Sequence, residues 1–183
     1  GPNRIEVSKE GTGRLYYSVE LSEHVMLEEG AVLATDAGIR ASRTFHALRP
    51  THDPQSDTIS LKPSPQPATR FRAGDAIEVH LSIQNPTERA YVLIEEPVPA
   101  GCEISEMEEA DPWMWHHWWG DVDVRDDQIA FYAPVLPRGE STVTYKLRAA
   151  LPGRFHTMPT HVWAMYRPAE HGWGAEQIIE IGE

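Results

Sequence analysis

The sequence is poor in cysteine and lysine, and it has no apolar run long enough to cross a membrane. Its single cysteine, Cys102, cannot form an internal disulfide, so cysteine pairing does not reveal the redox compartment. Three lysines and a net charge of -12 at pH 7 argue against nucleic-acid binding, because phosphate recognition requires a basic face. The same negative charge disfavours adsorption to anionic lipid, and we expect no direct membrane insertion.

Motifs for nucleophilic or metal-dependent catalysis are also missing: there is no G-x-S-x-G, no HExxH and no EF-hand loop. Cys102 lies at the start of a predicted strand, where a small buried hydrophobic residue is expected. His116 and His117 are adjacent and would point to opposite faces of an extended segment, so they cannot readily share one metal ion with Asp121 or Asp123. We therefore expect no catalytic residue, no cofactor and no metal site. The isolated histidines are expected to be surface or hydrogen-bonded residues rather than ligands: His46, His80 and His161.

What the sequence does contain is short stretches that alternate apolar and polar residues. The clearest lies at 77–84, where four aliphatic residues face one way and polar residues face the other. Residues 51–70 are rich in proline, serine and aspartate and are predicted to form a long connecting loop, while 24–38 fit either an irregular strand or a short helix. The remaining predicted strands are 11–22, 39–50, 91–101, 124–136, 141–150, 153–158, 161–166 and 177–181. Eight or nine short strands without an amphipathic helix predict an all-β fold of two packed antiparallel sheets.

The chain length of 183 residues fits one such domain. Residues 1–10 show no period, and Gly1-Pro2 resembles the scar of tag removal, so we expect an arm or a cloning remnant there. The absence of a signal peptide consequently gives no information on location. We expect residues 11–183 to form a single β-sandwich domain.

A tryptophan cluster lies in the acidic stretch 101–127, which carries nine carboxylates and one arginine. In one interpretation the tryptophans cover the end of the core and the acids solvate the surrounding loop. In the other, the cluster presents a rigid aromatic surface to a protein, a sugar or another domain, because tryptophan supplies a large contact area at little entropic cost. This candidate aromatic interaction surface comprises Trp113, Met114, Trp115, Trp118 and Trp119.

Seven short motifs, taken together, carry a family resemblance. They are residues 13–17 (GRLYY), 91–101 (YVLIEEPVPAG), 124–129 (VRDDQI), 136–139 (LPRG), 145–149 (YKLRA), 152–155 (PGRF) and 165–168 (MYRP). In this order they resemble the last domain of bacterial alpha-2-macroglobulin-like proteins. The resemblance extends over about residues 11–183 and rests on the number and order of the motifs, since each alone is common in sandwich domains.

The resemblance implies a function for the whole protein. Proteins of this family are large inhibitors that trap proteases: a bait segment is cut, the molecule rearranges, and in many members an internal thioester captures the protease. Their C-terminal domain is an immunoglobulin-like or fibronectin-like macroglobulin sandwich that packs against the thioester-type domain and stabilises the unactivated state. The implied partners are other domains of the parent chain and, through the full-length protein, target proteases. The implied location is the periplasm or cell envelope.

The resemblance also implies a contact site. It places Met165, Tyr166 and Pro168 in the segment that packs on the thioester-type domain; we call residues 165–168 the locking loop and expect Trp173 to join it. An apolar cover over a strained acyl bond lowers water access, with methionine adapting its shape and the aromatic rings forming a fixed wall. If the tryptophan cluster converges on the same edge, it would form an aromatic border around this loop.

Two features leave alternatives open. The thioester motif itself, a cysteine followed by glycine or leucine and then Glu-Gln, is absent, so this chain alone cannot crosslink a protease. The tryptophan cluster does not align with a family motif. The alternative function is therefore a carbohydrate-binding or cell-wall-binding module in which the tryptophans stack on sugar rings, and an enzyme is the least favoured interpretation.

Overall fold

A computed structural model describes residues 4–19, 34–53, 57–107 and 118–183, and the statements of structure below refer to these ranges. They contain β-strands and no helix, so nothing in the described part could cross a membrane as an apolar helix. The strands are β1 (Thr35–Ala37), β2 (Arg40–Asp53), β3 (Thr58–Pro63), β4 (Arg70–Arg72), β5 (Ala76–Asn85), β6 (Arg89–Pro97), β7 (Cys102–Met107), β8 (Asp121–Val124), β9 (Gln128–Leu136), β10 (Gly139–Ala149), β11 (Gly153–Thr157), β12 (His161–Ala164), β13 (Arg167–Trp173) and β14 (Gln177–Gly182).

Two large sheets form the body of the fold. The six-stranded sheet has the order β1-β13-β12-β6-β9-β8, and the five-stranded sheet has the order β3-β2-β5-β10-β7. A third sheet, β11-β14-β4, includes the parallel pair of β14 with β4; the strands of the other two sheets pair antiparallel. The predicted all-β fold of two packed antiparallel sheets is thus confirmed, with the short third sheet as an addition to it.

The core lies between the sheets because the paired strands alternate in burial. On β5 the residues Ile77, Val79, Leu81 and Ile83 are completely buried, as their spacing predicted. They belong to one cluster with Ile94 of β6, and the third sheet adds apolar side chains to the same cluster. Residues two apart on a strand share a face, so one run of aliphatic residues covers one side of this core.

The predicted strand at 11–22 is wrong over the residues that the structure describes. Residues 14–19 form no strand, and their apolar side chains are exposed, Tyr17 by 70%. Alternation marks a segment that could be half-buried, but it does not supply the neighbouring strand that would bury it. Residues 20–22 lie outside the described part.

The predicted loop at 51–70 is also partly wrong. Strand β2 continues to Asp53 and pairs with β3 from Leu48↔Pro63 to Asp53↔Thr58, so a hairpin occupies much of that span. All six residues of β3 are exposed. Ile59 and Leu61 alternate with Ser60 and Lys62 in β3, but the run is short, and the prolines and serines around it favour a loop. Strand β13 was missed for a related reason, since Pro168 and Gly172 interrupt its pattern.

Candidate interaction site

The locking loop joins β12 to β13 at one end of the six-stranded sheet. Met165 and Tyr166 form the turn, and both are open to solvent, Met165 by 45% and Tyr166 by 77%. Pro168 is exposed at the start of β13. The turn is anchored through its backbone, because the Met165 N–H donates a 2.8 Å hydrogen bond to the carbonyl oxygen of Tyr91 on β6. The structure thus brings three of the predicted site residues together in one exposed hairpin turn.

Tyr91 is a member of this site that the sequence did not reveal. Its ring meets the Tyr166 ring edge to face, with centroids 5.3 Å apart and planes at 86°, a favoured aromatic geometry. It is 55% exposed. Its φ angle of 55° lies in the left-handed region that tyrosine rarely adopts. No local turn residue marks this conformation; the only signal was that Tyr91 opens the second family motif.

The sheet changes its alternation at Tyr91. On β6 the buried residues Arg89 and Val92 are separated by two exposed residues instead of one. Strand β9 does the same between Ala133 and Leu136. The register pairs Arg89 with Leu136 and Val92 with Ala133, so the change in alternation occurs at the same level in both strands. These flanking pairs place Pro134 opposite Tyr91. Because proline has no N–H, it cannot complete the hydrogen-bonded ladder at this point.

Charged side chains hold the base of the locking loop. β13 carries extra residues between Arg167, which pairs with Ala164, and His171, which pairs with Trp163. Glu170 lies in that irregularity and accepts a 2.6 Å hydrogen bond from Nε of the buried Arg89. Its other oxygen lies 2.8 Å from Nη1 of Arg167. The turn is therefore fixed to β6 by backbone and side-chain contacts on both sides.

Trp173 lies apart from the locking loop. It pairs with His161, three positions along β12 from the Ala164–Arg167 pair, or about 10 Å at the rise of a strand. Its indole stacks on the His161 imidazole, with centroids 3.8 Å apart and planes at 8°. The His161 imidazole also stacks on Trp163 of its own strand, with ring centroids 4.3 Å apart. The structure therefore does not bring Trp173 to Tyr166 and assigns it to a second aromatic group on β12 and β13.

His161 is the titratable centre of this second group. Partial burial lowers the pKa of His161 from its usual value, and the neighbouring His171 lowers it further. Glu95 opposes this shift, with its carboxylate 3.6 Å from the imidazole Nδ1. The neutral imidazole is accordingly favoured in the stack. From the sequence we interpreted His161 as an isolated histidine, because Glu95 and Trp173 belong to β6 and β13 and only Trp163 is close to it in sequence.

The described part of the tryptophan cluster faces the core. Trp118 and Trp119 are partly buried and pack on Phe131 with centroids 6.2 and 5.8 Å from its ring. The Trp118 indole N–H donates a 3.0 Å hydrogen bond to the carbonyl oxygen of Thr142 in the opposite sheet. This is the packing of the core-covering interpretation. Trp113, Met114 and Trp115 lie outside the described residues, so their role as an interaction surface stays a prediction.

The end of the tryptophan cluster and the locking loop nevertheless lie at the same end of the six-stranded sheet. The Gly120 N–H donates a 2.7 Å hydrogen bond to the carbonyl oxygen of Tyr132, and a Cβ on Gly120 would lie 2.9 Å from Pro134 Cγ. Pro134 in turn lies opposite Tyr91, which contacts Met165. Three strand spacings, about 14 Å, therefore separate Gly120 from Met165.

Cys102 begins β7 and is buried, as predicted from its position. Burial raises the pKa of its thiol to about 11, so it is a protonated, unreactive thiol at neutral pH. Among the described residues, no group of three or more histidine, cysteine or carboxylate side chains is arranged to hold a metal ion. The locking loop itself presents the exposed side chains of Met165 and Tyr166 for contact.

Comparison with known families gives a match that covers most of the chain. Residues 38–169 match the family described as the bacterial alpha-2-macroglobulin MG10 domain. This range includes the whole of β6, β9 and β12 and the first three residues of β13, and it therefore contains the locking loop. No curated protein matches the chain.

Solved structures show the same fold. A Salmonella alpha-2-macroglobulin reacted with methylamine is 18% identical with a TM-score of 0.63, over 82% of this chain and 10% of that one. A native Escherichia coli alpha-2-macroglobulin from domain MG7 to the C-terminus is 18% identical with a TM-score of 0.64, over 85% and 25%. The Escherichia coli protein activated by porcine elastase is 19% identical with a TM-score of 0.64, over 84% and 14%. The chain therefore spans from a tenth to a quarter of these relatives.

Proposed function

Because the chain belongs to the bacterial alpha-2-macroglobulin MG10 family, we propose that it packs against the thioester-type domain of a protease-trapping parent protein and stabilises the unactivated state. The observation that carries this proposal is the Met165–Tyr166 turn, which is anchored to β6 by a backbone hydrogen bond yet leaves both side chains exposed. In this role the domain contributes contact and performs no chemistry of its own.

A preorganised turn suits this role because ordering costs are already met before docking. Its backbone is fixed by Tyr91 and its base by Glu170, so the Met165 and Tyr166 side chains point outward from a defined position. Pressed onto a neighbouring domain, they would exclude water from a strained acyl bond beneath them. Release of the turn on activation would expose that bond to attack.

The related proteins support the choice of reagents. The Salmonella protein was reacted with methylamine and the Escherichia coli protein was activated by elastase. We propose that the parent of this chain responds to a small amine and to protease cleavage in the same way. We also place the parent in the periplasm or cell envelope, where target proteases would meet it.

The test is to introduce Met165→Ala and Tyr166→Ala together in the full-length parent and to measure the rate of inactivation and thiol release by methylamine. The expected result is a rate at least several-fold higher than in the wild type. The matched control is Ile59→Ala with Leu61→Ala, two exposed apolar residues of β3 on the five-stranded sheet. An unchanged rate in the locking-loop variant would refute the proposal.

A parent that carries no thioester needs another readout. Hydrogen exchange across residues 163–168 is then measured in the full-length protein before and after cleavage by a protease. The proposal expects these amides to be more protected before cleavage than after it, since the docked turn is released on activation. Equal exchange in the two states would argue that the turn does not contact another domain.

A further inference from the structure

We propose that Tyr91 is a positioning residue for the locking loop: it sets the direction in which Met165 and Tyr166 meet the neighbouring domain. This inference rests on the proposed function above and adds to it a residue outside the loop. Tyr91 contacts the loop in two ways, through its carbonyl oxygen to the Met165 N–H at 2.8 Å and through its ring to Tyr166 at 5.3 Å.

The backbone of Tyr91 supplies the first argument. Its φ of 55° would be adopted more readily by glycine or asparagine, because the Cβ of other residues crowds the following carbonyl group. Strain of this kind persists where the surrounding structure enforces it, and it clusters at ligand clamps and switch regions. A tyrosine at this position therefore needs a compensating reason.

Packing of the Tyr91 side chain in the core does not offset this backbone strain. The ring is more than half exposed, and Tyr91 does not belong to the buried apolar cluster. Among the ring pairs of the described residues, its partner is Tyr166. The contact that the Tyr91 ring makes is thus with the locking loop, which points to a role in positioning that loop.

The geometry shows how the strain is used. The left-handed residue lies where β6 and β9 change their alternation together, opposite Pro134. This leaves Tyr91 exposed instead of following the inward and outward alternation of β6. The hydrogen bond fixes the backbone of Met165, and the edge-to-face contact limits the rotation of the Tyr166 ring. Two strands that anchor the core therefore fix the orientation of an exposed turn.

The experiment compares Tyr91→Gly, Tyr91→Phe and the double variant Met165→Ala/Tyr166→Ala in the full-length parent. Glycine removes the ring and relieves the left-handed backbone, so Tm is expected to stay the same or rise. The methylamine inactivation rate is nevertheless expected to rise at least threefold. Phenylalanine keeps the ring and is expected to keep the wild-type rate. In a parent without a thioester, hydrogen exchange at 163–168 replaces the methylamine rate and is expected to rise for Tyr91→Gly and to stay at the wild-type level for Tyr91→Phe.

Adding Tyr91→Gly to the Met165→Ala/Tyr166→Ala background is expected to change nothing further, because Tyr91 acts through those two residues. The inference is overturned if Tyr91→Gly leaves the rate within twofold of the wild type, if the rate rises only with a fall in Tm, or if the effect persists in that background. These outcomes are distinct from failure of the proposed function, in which Met165→Ala/Tyr166→Ala itself has no effect.

Discussion

Gly172 of β13 passes so close to Ile39 that a Cβ at this position would lie 1.9 Å from the Ile39 carbonyl oxygen. The contact is with backbone next to the completely buried Ile39 side chain, so neither partner can move aside cheaply. Gly172 is therefore required by the close approach of β13 to the segment between β1 and β2. That approach fixes the strand that follows the locking loop.

Gly172→Ala is expected to lower the free energy of unfolding by about 3 kcal/mol, the upper part of the range for overpacking. The matched control is Gly182→Ala on β14, where the added Cβ would lie 3.8 Å from the Phe71 carbonyl oxygen, an ordinary contact. It should change stability by no more than about 0.5 kcal/mol. Urea unfolding of both variants measures the difference; similar values would contradict the close approach.

A buried ion pair joins the two large sheets. Arg43 of β2 donates a 2.7 Å hydrogen bond from Nη1 to Oε1 of Glu96 on β6, and Tyr145 of β10 donates to the same oxygen at 2.7 Å. Burial lowers the pKa of Arg43, but the charge of Glu96 and the hydrogen-bonding interactions with Glu96 and Tyr145 together outweigh it, so the pKa of Arg43 lies above its usual value. Arg43 also reaches the carbonyl oxygen of Met158 at 2.8 Å, just ahead of β12.

Arg43→Met is expected to destabilise the domain by about 3–5 kcal/mol, because it leaves the Glu96 carboxylate buried without its cation. The control is Arg148→Met, which breaks a pair with Glu103 of 2.6 Å in which both side chains are 60% exposed. That loss should be at most about 1 kcal/mol. The comparison is made by urea unfolding at pH 7, and equal losses would show that the burial of the first pair carries no penalty.

Alternation predicted the central strands because their inner faces are fully buried. The run Ile77, Val79, Leu81 could be assigned from spacing alone, and the same holds for Val143, Tyr145 and Leu147. Strand β3 could not be assigned, since its pairing with β2 depends on backbone hydrogen bonds and leaves both faces in water. Spacing thus identified strands with a buried face, but it also predicted a strand at 14–19, where none forms, and it missed the exposed pairing of β3.

The candidate site was predictable only as far as it is local. Met165, Tyr166 and Pro168 are neighbours in sequence and carry a motif. Tyr91 joins them through pairing between β6 and the turn, and its left-handed backbone is set by tertiary structure and not by a turn residue. Trp173 shows the converse, because proximity in sequence along an extended strand places it away from the loop.

The lowered pKa of His161 predicts that the domain loses stability in acid. Its folded-state pKa is lowered below the value of the unfolded chain, so as pH falls through about 6.5 the unfolded chain takes up the proton first. Stability from this group is therefore fully present above pH 6.5 and declines as pH falls from there toward the folded-state pKa. His171 and Glu95 face the imidazole and belong to the same equilibrium.

His161→Phe keeps an aromatic ring between Trp163 and Trp173 and removes the titration. Thermal unfolding at pH 7.5, 6.5 and 5.5 should show a smaller acid loss in this variant than in the wild type, because phenylalanine takes up no proton. His52→Phe, which changes an exposed histidine paired with Asp57, is the control and should keep the wild-type acid loss. Parallel pH profiles for wild type and His161→Phe would contradict the lowered pKa.

The burial of Cys102 determines how thiol release by the full-length parent is interpreted. The residue is 6% exposed, and burial raises the pKa of its thiol to about 11, against about 8.5 for a free cysteine. Alkylation by iodoacetamide at pH 8 should therefore be at least about 100-fold slower in the folded chain than in urea, because the thiolate is the reactive form. Comparable rates in both states would show that the thiol is accessible.

If Cys102 is unreactive in the native parent, any thiol released by methylamine arises from another cysteine. Cys102→Ala is accordingly expected to leave the amount of released thiol unchanged.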